Sequence, residues 1–458
     1  MHITTTRSPG DVARIALDPS SDRPPAAEFD TAAGTAVAAP TSLGLRLEFL
    51  DALRGIAAML VVVEHFAEHL WPAFAVFSLT RFRLGEYGVV LFFLVSGFII
   101  PASLERRGSL SQFWVGRAFR LFPLYWACLA AILVLHFGPD NYRGLAPEYW
   151  TRWLHHFAFN ATMMQDFLGV PLVLGQSWSL AYEMTFYLLV SVLFVAGRHT
   201  RSGPIAGVLL VVSALIGGRL PSNMLTTGLS SKRVLFTVAC VLVAVAVVGW
   251  LTRARGVALQ LPALVVTAAV VVMVLNRYET TFQAAFFFGT LFAGTALYRW
   301  TTGQLSTRAV VLLGVIVVMS VVIAQMHDWS PWLAGQPQVN YRFHQAEVLT
   351  YLSAYATFLL ALTYRHLHFP RVLTYLGTIS YSLYLVHAVV LFTLPAMPSA
   401  PWRALVLGTV VSIAASSATY YGIEKPFIAL GRRVTGAMPT RYHGVRAADP
   451  VSAATVPV

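Results

Sequence analysis

The sequence has few charged residues and almost no cysteine. Charged side chains make up 11% of its 458 residues and hydrophobic ones 57%, with a mean hydropathy of +0.66. Its two cysteines, Cys128 and Cys240, lie inside apolar segments, which argues against a disulfide framework or a cysteine metal site. The net charge of +12 would suggest nucleic acid in a soluble protein. Basic residues beside membrane spans normally set orientation, so we expect no nucleic-acid partner.

Long apolar segments recur from Leu53 to Gly422, and a bilayer is crossed by about 20 such residues. They predict an all-α, polytopic transmembrane helical bundle of about 10–12 spans with no soluble catalytic domain. The predicted spans are 53–71, 87–104, 119–137, 178–197, 204–218, 234–252, 257–275, 281–298, 308–325, 346–364, 376–395 and 402–422. The polar termini predict disordered cytoplasmic tails at 1–44 and 431–458, around a membrane domain at 45–430.

The basic residues of the short loops predict the orientation. Cytoplasmic loops normally carry the excess of lysine and arginine, which places both termini in the cytoplasm of a plasma (inner) membrane protein. The inner loops and C-terminus would then hold Arg106, Arg107, Arg117, Arg120, Arg198, Arg201, Arg253, Arg255, Arg299, Arg308, Arg365, Arg371, Lys425, Arg432 and Arg433. The longer outer loops also contain basic residues, so the bias is modest.

Ionisable residues line one face of the first predicted span. Arg54 and His65 are about 16 Å apart along a helix and share a face, because eleven positions complete three turns plus roughly 20°. Asp51 and His69 extend the same face, and Glu64 points elsewhere. Such groups usually face a bundle interior or a cavity, although a structural Asp51–Arg54 pair and a core histidine would also fit. His65 and His69 lack the H-E-x-x-H pattern and an evident third ligand, so we expect no metal.

The stretch from Phe113 to Trp126 places Arg117 and Arg120 on one helix face. Arginine forks bind phosphate oxygens bidentately, which favours an anionic ligand. The orientation bias alone would also explain part of this cluster.

The stretch from Gln176 to Leu189 contains a carboxylate within an apolar segment. Trp178 fits an interfacial anchor. Glu183 shares a face with Ser179 and Tyr187, and it is a candidate proton acceptor. The alternative is a structural carboxylate paired with an arginine of another helix.

Three further patterns bear on the site. Ser96-Gly97 lacks the G-x-S-x-G context of a nucleophile elbow, so we interpret it as helix packing. Ser380, Tyr384 and His387 share a helix face, at spacings of four and three. Pro426, in the sequence IEKPF, is expected to stop the last helix, and that motif to be mainly structural.

Together these segments resemble the acyltransferase-3 family of integral-membrane acyltransferases. The matching pieces are LDALRGIAAMLVVVEH, FFLVSGFII, RAFRLFPLYW, WSLAYEMTFY, GTISYSLYLVH and IEKPF, between Leu50 and Phe427. The resemblance implies an enzyme that transfers an acyl group, usually acetyl, from acyl-CoA as co-substrate to a hydroxyl of a cell-surface or lipid-linked carbohydrate. No permanently bound cofactor is expected.

The resemblance assigns roles to individual residues. It implies His65, Arg54 and Glu183 as catalytic residues, and Arg117 and Arg120, with Arg54, as the acyl-CoA site. The candidates for substrate binding are Asp51, Trp178, Ser179, Tyr384 and His387. A small natural product or a glycolipid is the alternative acceptor. A transporter is the rival class, since intramembrane charges also mark transport pathways, but no internal repeat is evident.

Overall fold

The computed structural model describes residues 42–137, 153–216, 234, 238, 281–327, 337–393 and 400–437. Within these ranges every regular element is helical, which confirms the all-α class. The helices are α1 (Ser42–Leu70), α2 (Pro72–Thr80), α3 (Leu84–Arg107), α4 (Leu110–Phe137), α5 (Trp153–Asn160), α6 (Trp178–Val195), α7 (Ser202–Ile216), α8 (Thr281–Thr301), α9 (Thr307–His327), α10 (Pro337–Thr363), α11 (Arg371–Thr378), α12 (Ser380–Thr393), α13 (Pro401–Thr419) and α14 (Lys425–Gly436). A short 3₁₀ turn, Gly175–Ser177, precedes α6.

Several helices are long and apolar enough to cross a bilayer, so the protein is a multi-pass membrane protein. Five meet both conditions, and the bent pair α11–α12 makes a sixth if it is one span. These five segments are Leu84–Arg107, Leu110–Leu135, Gly175–Val195, Arg342–Thr363 and Pro401–Gly436. Apart from residues 234 and 238, the predicted spans 234–252 and 257–275 lie outside the described residues. The total of about 10–12 spans therefore stays a prediction.

Glycines bring the central helices into backbone contact. A Cβ added at Gly97 of α3 would overlap the carbonyl of Leu291 in α8, and one added at Gly294 would overlap the carbonyl of Leu94. Small residues at helix interfaces permit this close approach inside a membrane. The interpretation of Ser96-Gly97 as helix packing is thus correct for the glycine.

The predicted span 376–395 is broken. It consists of α11 and α12, which meet at Ile379 with a bend of 72°. α11 lies flat against α1, since a Cβ at Gly377 would overlap the carbonyl of Asp51 and one at Gly55 would overlap that of Leu373. The break allows α11 to pack on the first half of α1 and α12 to enter the bundle interior.

The last helix continues through the proline, so the prediction that Pro426 would stop it was wrong. α13 passes into a π-helical turn, Tyr420–Glu424, and continues as α14 to Gly436. A proline ring clashes with the carbonyl four residues earlier, and a π turn locally widens the helix where that clash would occur. Helical structure thus extends past residue 430, and α1 likewise begins at Ser42, before residue 45.

Ion pairs join α3 to its neighbours at both of its ends. Near its start, Arg83 pairs with Glu86 and, at 3.1 Å, with Glu347 of α10. Near its other end, Glu105 pairs with buried Arg299 of α8. Buried pairs contribute less to stability than their Coulomb energy suggests, but they specify which helices meet and in what register. These pairs join α3 to α8 and α10, and the middle of α3 faces a cavity.

Candidate active site

A cavity lies between five helices, with about 600 Å³ of empty space including the part open to solvent. α1, α3, α4, α6 and α12 contribute its walls. The lining side chains are Arg54, Val89, Phe92, Phe93, Ser96, Arg117, Arg120, Leu121, Ser179, Leu180, Glu183, Tyr187, Ser380, Tyr381 and Tyr384. Half of the wall is apolar or aromatic, and the polar groups converge from different helices, as in small-molecule sites.

Three guanidinium groups face this cavity. In the described part of the chain, Arg54, Arg117 and Arg120 form no ion pair and no hydrogen bond with a protein group. Arg117 is the most buried, at 9% exposure, and its guanidinium lies 5.4 Å from the ring centroids of both Phe113 and Tyr187. These aromatic contacts orient the cation without neutralising its charge. Three cations opposite one carboxylate leave the cavity with a positive balance that suits a polyanionic ligand.

Glu183 is the carboxylate of the cavity. Its Oε1 accepts a hydrogen bond from Ser96 Oγ at 3.0 Å and a short one from the Tyr187 hydroxyl. The alternative of a structural pair with an arginine is not found, since Glu183 forms no ion pair among the described residues. Two hydroxyl donors hold one oxygen in place, and the cavity wall presents this carboxylate to a ligand.

Ser96 has a second role that sequence reasoning missed. We interpreted Ser96-Gly97 as packing, but the Ser96 hydroxyl lines the cavity and donates to Glu183. The aromatic wall residues Phe92, Phe93 and Tyr381 were missed too. Tyr381 donates from its hydroxyl to the carbonyl of Leu121 at 2.7 Å and so joins α12 to α4. The sequence signal for Tyr381 was its position next to Ser380 and one turn before Tyr384.

His65 does not line the cavity. Its Nδ1 lies 2.9 Å from Nε2 of His387, which is fully buried on α12. His65 is partly exposed, and His69, one turn further along α1, is exposed. The polar face predicted for α1 is therefore divided, with Arg54 in the cavity and His65 paired with a histidine of another helix.

Tyr384 connects the cavity with the two histidines. Its hydroxyl is 2.6 Å from Ser179 Oγ and donates to the carbonyl of Gln176 at 2.8 Å. The Gln176 side-chain amide in turn donates to the carbonyl of Tyr384 at 3.1 Å. The Tyr384 ring meets that of His387 edge to face, with centroids 6.2 Å apart. The start of α6 is thus hydrogen-bonded to α12 at the cavity wall.

Besides His387, two predicted substrate contacts lie outside the cavity wall. Trp178 packs in an aromatic cluster with Phe93, Tyr182 and Phe287. Asp51 does not pair with Arg54 within the described helices, and its backbone packs against Gly377. The structure therefore brings together Arg54, Arg117, Arg120, Ser179, Glu183 and Tyr384 at the cavity, and it leaves Asp51, Trp178, His65 and His387 beyond its wall.

A family model described as an acyltransferase domain matches residues 47–421. The chain belongs to the acyltransferase-3 family. The matched region contains every side chain of the cavity wall and both paired histidines. The resemblance drawn from the sequence is thus confirmed at the level of the family.

Curated relatives match shorter parts of this acyltransferase-3 chain. Nodulation protein 10 of Rhizobium leguminosarum bv. viciae is 32% identical over 142 residues, covering 28% of this chain and 38% of that protein. The peptidoglycan O-acetyltransferase OatA of Listeria monocytogenes is 31% identical over 154 residues, covering 31% of this chain and 23% of OatA. The acyltransferase MdmB of Streptomyces mycarofaciens is 28% identical over 161 residues, covering 31% of this chain and 38% of MdmB. The alignments thus span less than two fifths of each relative, and no solved structure matches the chain.

Proposed function

We propose that this protein is a membrane O-acyltransferase that moves an acyl group, in the first instance acetyl, from cytoplasmic acyl-CoA to a hydroxyl of a cell-surface or lipid-linked carbohydrate. The observation that carries the proposal is a set of three cavity arginines that form no ion pair among the described residues, opposite a hydrogen-bonded carboxylate. Membership of the acyltransferase-3 family supports the reaction class.

The arginines suit the donor. Acyl-CoA carries several phosphate groups, and a guanidinium binds phosphate oxygens through two parallel hydrogen bonds. Arg117 and Arg120 lie on α4 and Arg54 on α1, so the three cations approach a phosphate from two helices. Arg117 lies against two aromatic rings and is already oriented before the donor enters. The thioester arm would then extend along α1 from Arg54 towards His65.

The acceptor hydroxyl needs a base. His65 and Glu183 are the two candidates, since an imidazole nitrogen and a carboxylate oxygen can each accept the proton of a hydroxyl. His65 either removes the hydroxyl proton or takes the acyl group itself before passing it on. Glu183 orients or deprotonates the acceptor, with Ser96 and Tyr187 fixing its rotamer. Tyr384 and Ser179 line the cavity, and the Tyr384 ring also contacts that of His387, so in this proposal both residues contact the substrate near the histidines.

The carbohydrate acceptor is supported by one relative, which is named a peptidoglycan O-acetyltransferase. The basic loops support a cytoplasmic donor and cytoplasmic termini, with the enzyme in the inner membrane. This arrangement would let a donor from inside the cell serve an acceptor on the outer face.

The test uses membrane vesicles that contain the protein and acetyl-CoA labelled in the acetyl group. We expect release of free CoA and transfer of label to lipid-linked or polymeric carbohydrate from a native extract. His65→Ala should lower both about 10³-fold and leave a measurable residual rate. His69→Ala, one turn along α1, is the matched control that should retain them. Folded wild-type protein that releases no CoA from any of several acyl donors would refute the proposal and favour a transporter.

A further inference from the structure

We infer that His387 is a positioning residue, which holds the proton of His65 on Nδ1 and so leaves Nε2 of His65 free to act as the base. This inference rests on the proposed function, and it assigns a specific role within that reaction to a pair of rings 322 positions apart in the chain. It follows from two hydrogen bonds and from the relative placement of the two rings.

The first contact fixes the tautomer of His387. Its Nδ1 lies 2.9 Å from the carbonyl oxygen of Leu383, one turn earlier on α12. A carbonyl only accepts hydrogen bonds, so this nitrogen carries a proton. His387 is fully buried, and charging a buried imidazole is costly in free energy, so the ring is neutral and its Nε2 has no proton.

The second contact transmits that choice to His65. Nε2 of His387 accepts, and the nitrogen 2.9 Å from it is Nδ1 of His65, which must therefore donate. In a neutral His65 the remaining nitrogen, Nε2, holds the lone pair. The carbonyl of Leu383 thus determines, through the ring of His387, that Nε2 is the basic nitrogen of His65.

The third observation is the relative placement of the rings. Their planes are within 7° of parallel, and their centroids are 5.1 Å apart. The centroid separation exceeds the 2.9 Å N···N distance by about twice the distance from the centre of an imidazole ring to one of its nitrogens. The rings therefore lie nearly edge to edge in one plane, with the hydrogen bond along the lone pair, and they are not stacked face to face.

In the reaction, Nε2 of His65 removes the proton of the acceptor hydroxyl while that oxygen attacks the thioester carbonyl. The new C–O bond forms, the C–S bond breaks, and the leaving thiolate takes the proton from Nε2, which gives ester and free CoA. His387 gains and loses no proton. Its hydrogen bond becomes charge-assisted while His65 is an imidazolium, which stabilises that intermediate charge.

The experiment compares two amides of similar polarity at position 387. In His387→Gln the side-chain oxygen lies close to the place of Nε2 and can still accept from His65. His387→Asn is shorter, so it can bond the Leu383 carbonyl but offers no acceptor to His65. We expect the kcat of acetyl transfer to fall about 10²-fold in His387→Asn, and His387→Gln to keep at least about a tenth of the wild-type kcat. The KM for acetyl-CoA should change little in both, because the arginine-lined cavity is intact.

A double-mutant cycle completes the test. Adding His387→Asn to His65→Ala should cause no further loss, because the second ring acts only through the first. Equal kcat values in the Asn and Gln variants, whether both high or both low in folded protein, would overturn the positioning role. So would an additive loss in the cycle. Wild-type protein without any acetyl transfer would overturn the proposed function itself. The activity of the wild type therefore tests the proposed function, and the comparison of the variants tests the positioning role.

Discussion

Glu183 is the residue whose chemistry can be isolated most cleanly. Glu183→Gln keeps the side-chain volume and an oxygen that can accept from Ser96 and Tyr187, but it removes the charge and the ability to take a proton. We expect kcat/KM for acetyl transfer to fall about 10²-fold. The rate of CoA release by purified protein measures this.

The control for Glu183 is Tyr187→Phe, which removes one of the two donors and leaves the carboxylate in place. A loss of under about tenfold is expected for it, in keeping with one hydrogen bond. If Glu183→Gln were as active as the wild type, Glu183 would have a structural role only.

Asp166 gives a pH-dependent stability outside the membrane-spanning helices. It lies between α5 and the 3₁₀ turn, its side chain is buried, and its Oδ2 has no hydrogen-bond partner among the described residues. Burial raises the pKa of Asp166 from 3.8 to about 7. Because the folded state keeps the proton in a range where the unfolded state has lost it, stability falls as the pH rises from about 4 to about 7 and is then constant.

Asp166→Asn should remove this dependence. At pH 8 the variant should have a higher unfolding temperature than the wild type, and its free energy of unfolding should be larger by up to about 4 kcal/mol. At pH 5 this difference in the free energy of unfolding should be smaller. Thermal unfolding in detergent at the two pH values measures the effect. An equal difference at both pH values would show that the buried carboxyl does not titrate in this range.

Much of the cavity was predictable from residues that share one helix. Arg117 with Arg120, and Ser380 with Tyr384, were grouped by the 3.6-residue period alone, and the cost of burying a charge marked Arg54 and Glu183 as special. The contact of His65 with His387 joins helices distant in sequence, and no local pattern encodes such a contact. For the same reason the sequence could not decide whether Glu183 pairs with an arginine of another helix or is a proton acceptor without such a pair.

At the scale of elements, close helix contacts depend on single glycines. Gly377 of α11 leaves no room for a Cβ beside the carbonyl of Asp51. Gly377→Ala should therefore destabilise the protein by about 1–3 kcal/mol and separate α11 from α1. Gly314→Ala in α9 is the matched control, since nothing lies within 4 Å of a Cβ there.

Thermal unfolding of both glycine variants in detergent provides the measurement. The Gly314 variant should match or slightly exceed the wild-type unfolding temperature, because alanine favours a helix over glycine. A Gly377 variant with the same unfolding temperature as the Gly314 variant would contradict the close packing of α1 and α11.

Helix existence was easier to predict than helix continuity. Apolar runs identified α3 and α6 with ends at most three residues off, whereas α4 begins nine residues before its predicted span because its first turns carry polar and basic residues. The 72° break at Ile379 and the π turn before Pro426 were missed, because both depend on packing. α11 turns away to lie on α1, and buried Glu424 accepts from Ser382 of α12 at 2.8 Å.

At the scale of the whole molecule, α1 and α12 together link the two parts of the site. α1 carries Arg54 at the cavity and His65 beyond it, and α12 carries Tyr384 at the cavity and His387 beyond it. Arg54 and His65 are about 16 Å apart along the helix. Under the proposed function, the ligand binds through phosphate at the first position and reacts at the second, so it must be long and thin, as a thioester on an extended arm is.

The most direct test of this description is equilibrium binding of labelled CoA to the purified protein in detergent. We predict that the wild type binds CoA and that Arg120→Gln and Arg54→Gln each weaken binding about 10- to 100-fold, as expected for lost hydrogen bonds between charged groups. Arg308→Gln, at an exposed arginine in the first turn of α9, should bind like the wild type. Pantetheine, which lacks the nucleotide, should bind far more weakly than CoA. Failure of the folded wild type to bind CoA, or equal binding by all four proteins, would contradict the assignment of the cavity as the acyl-donor site.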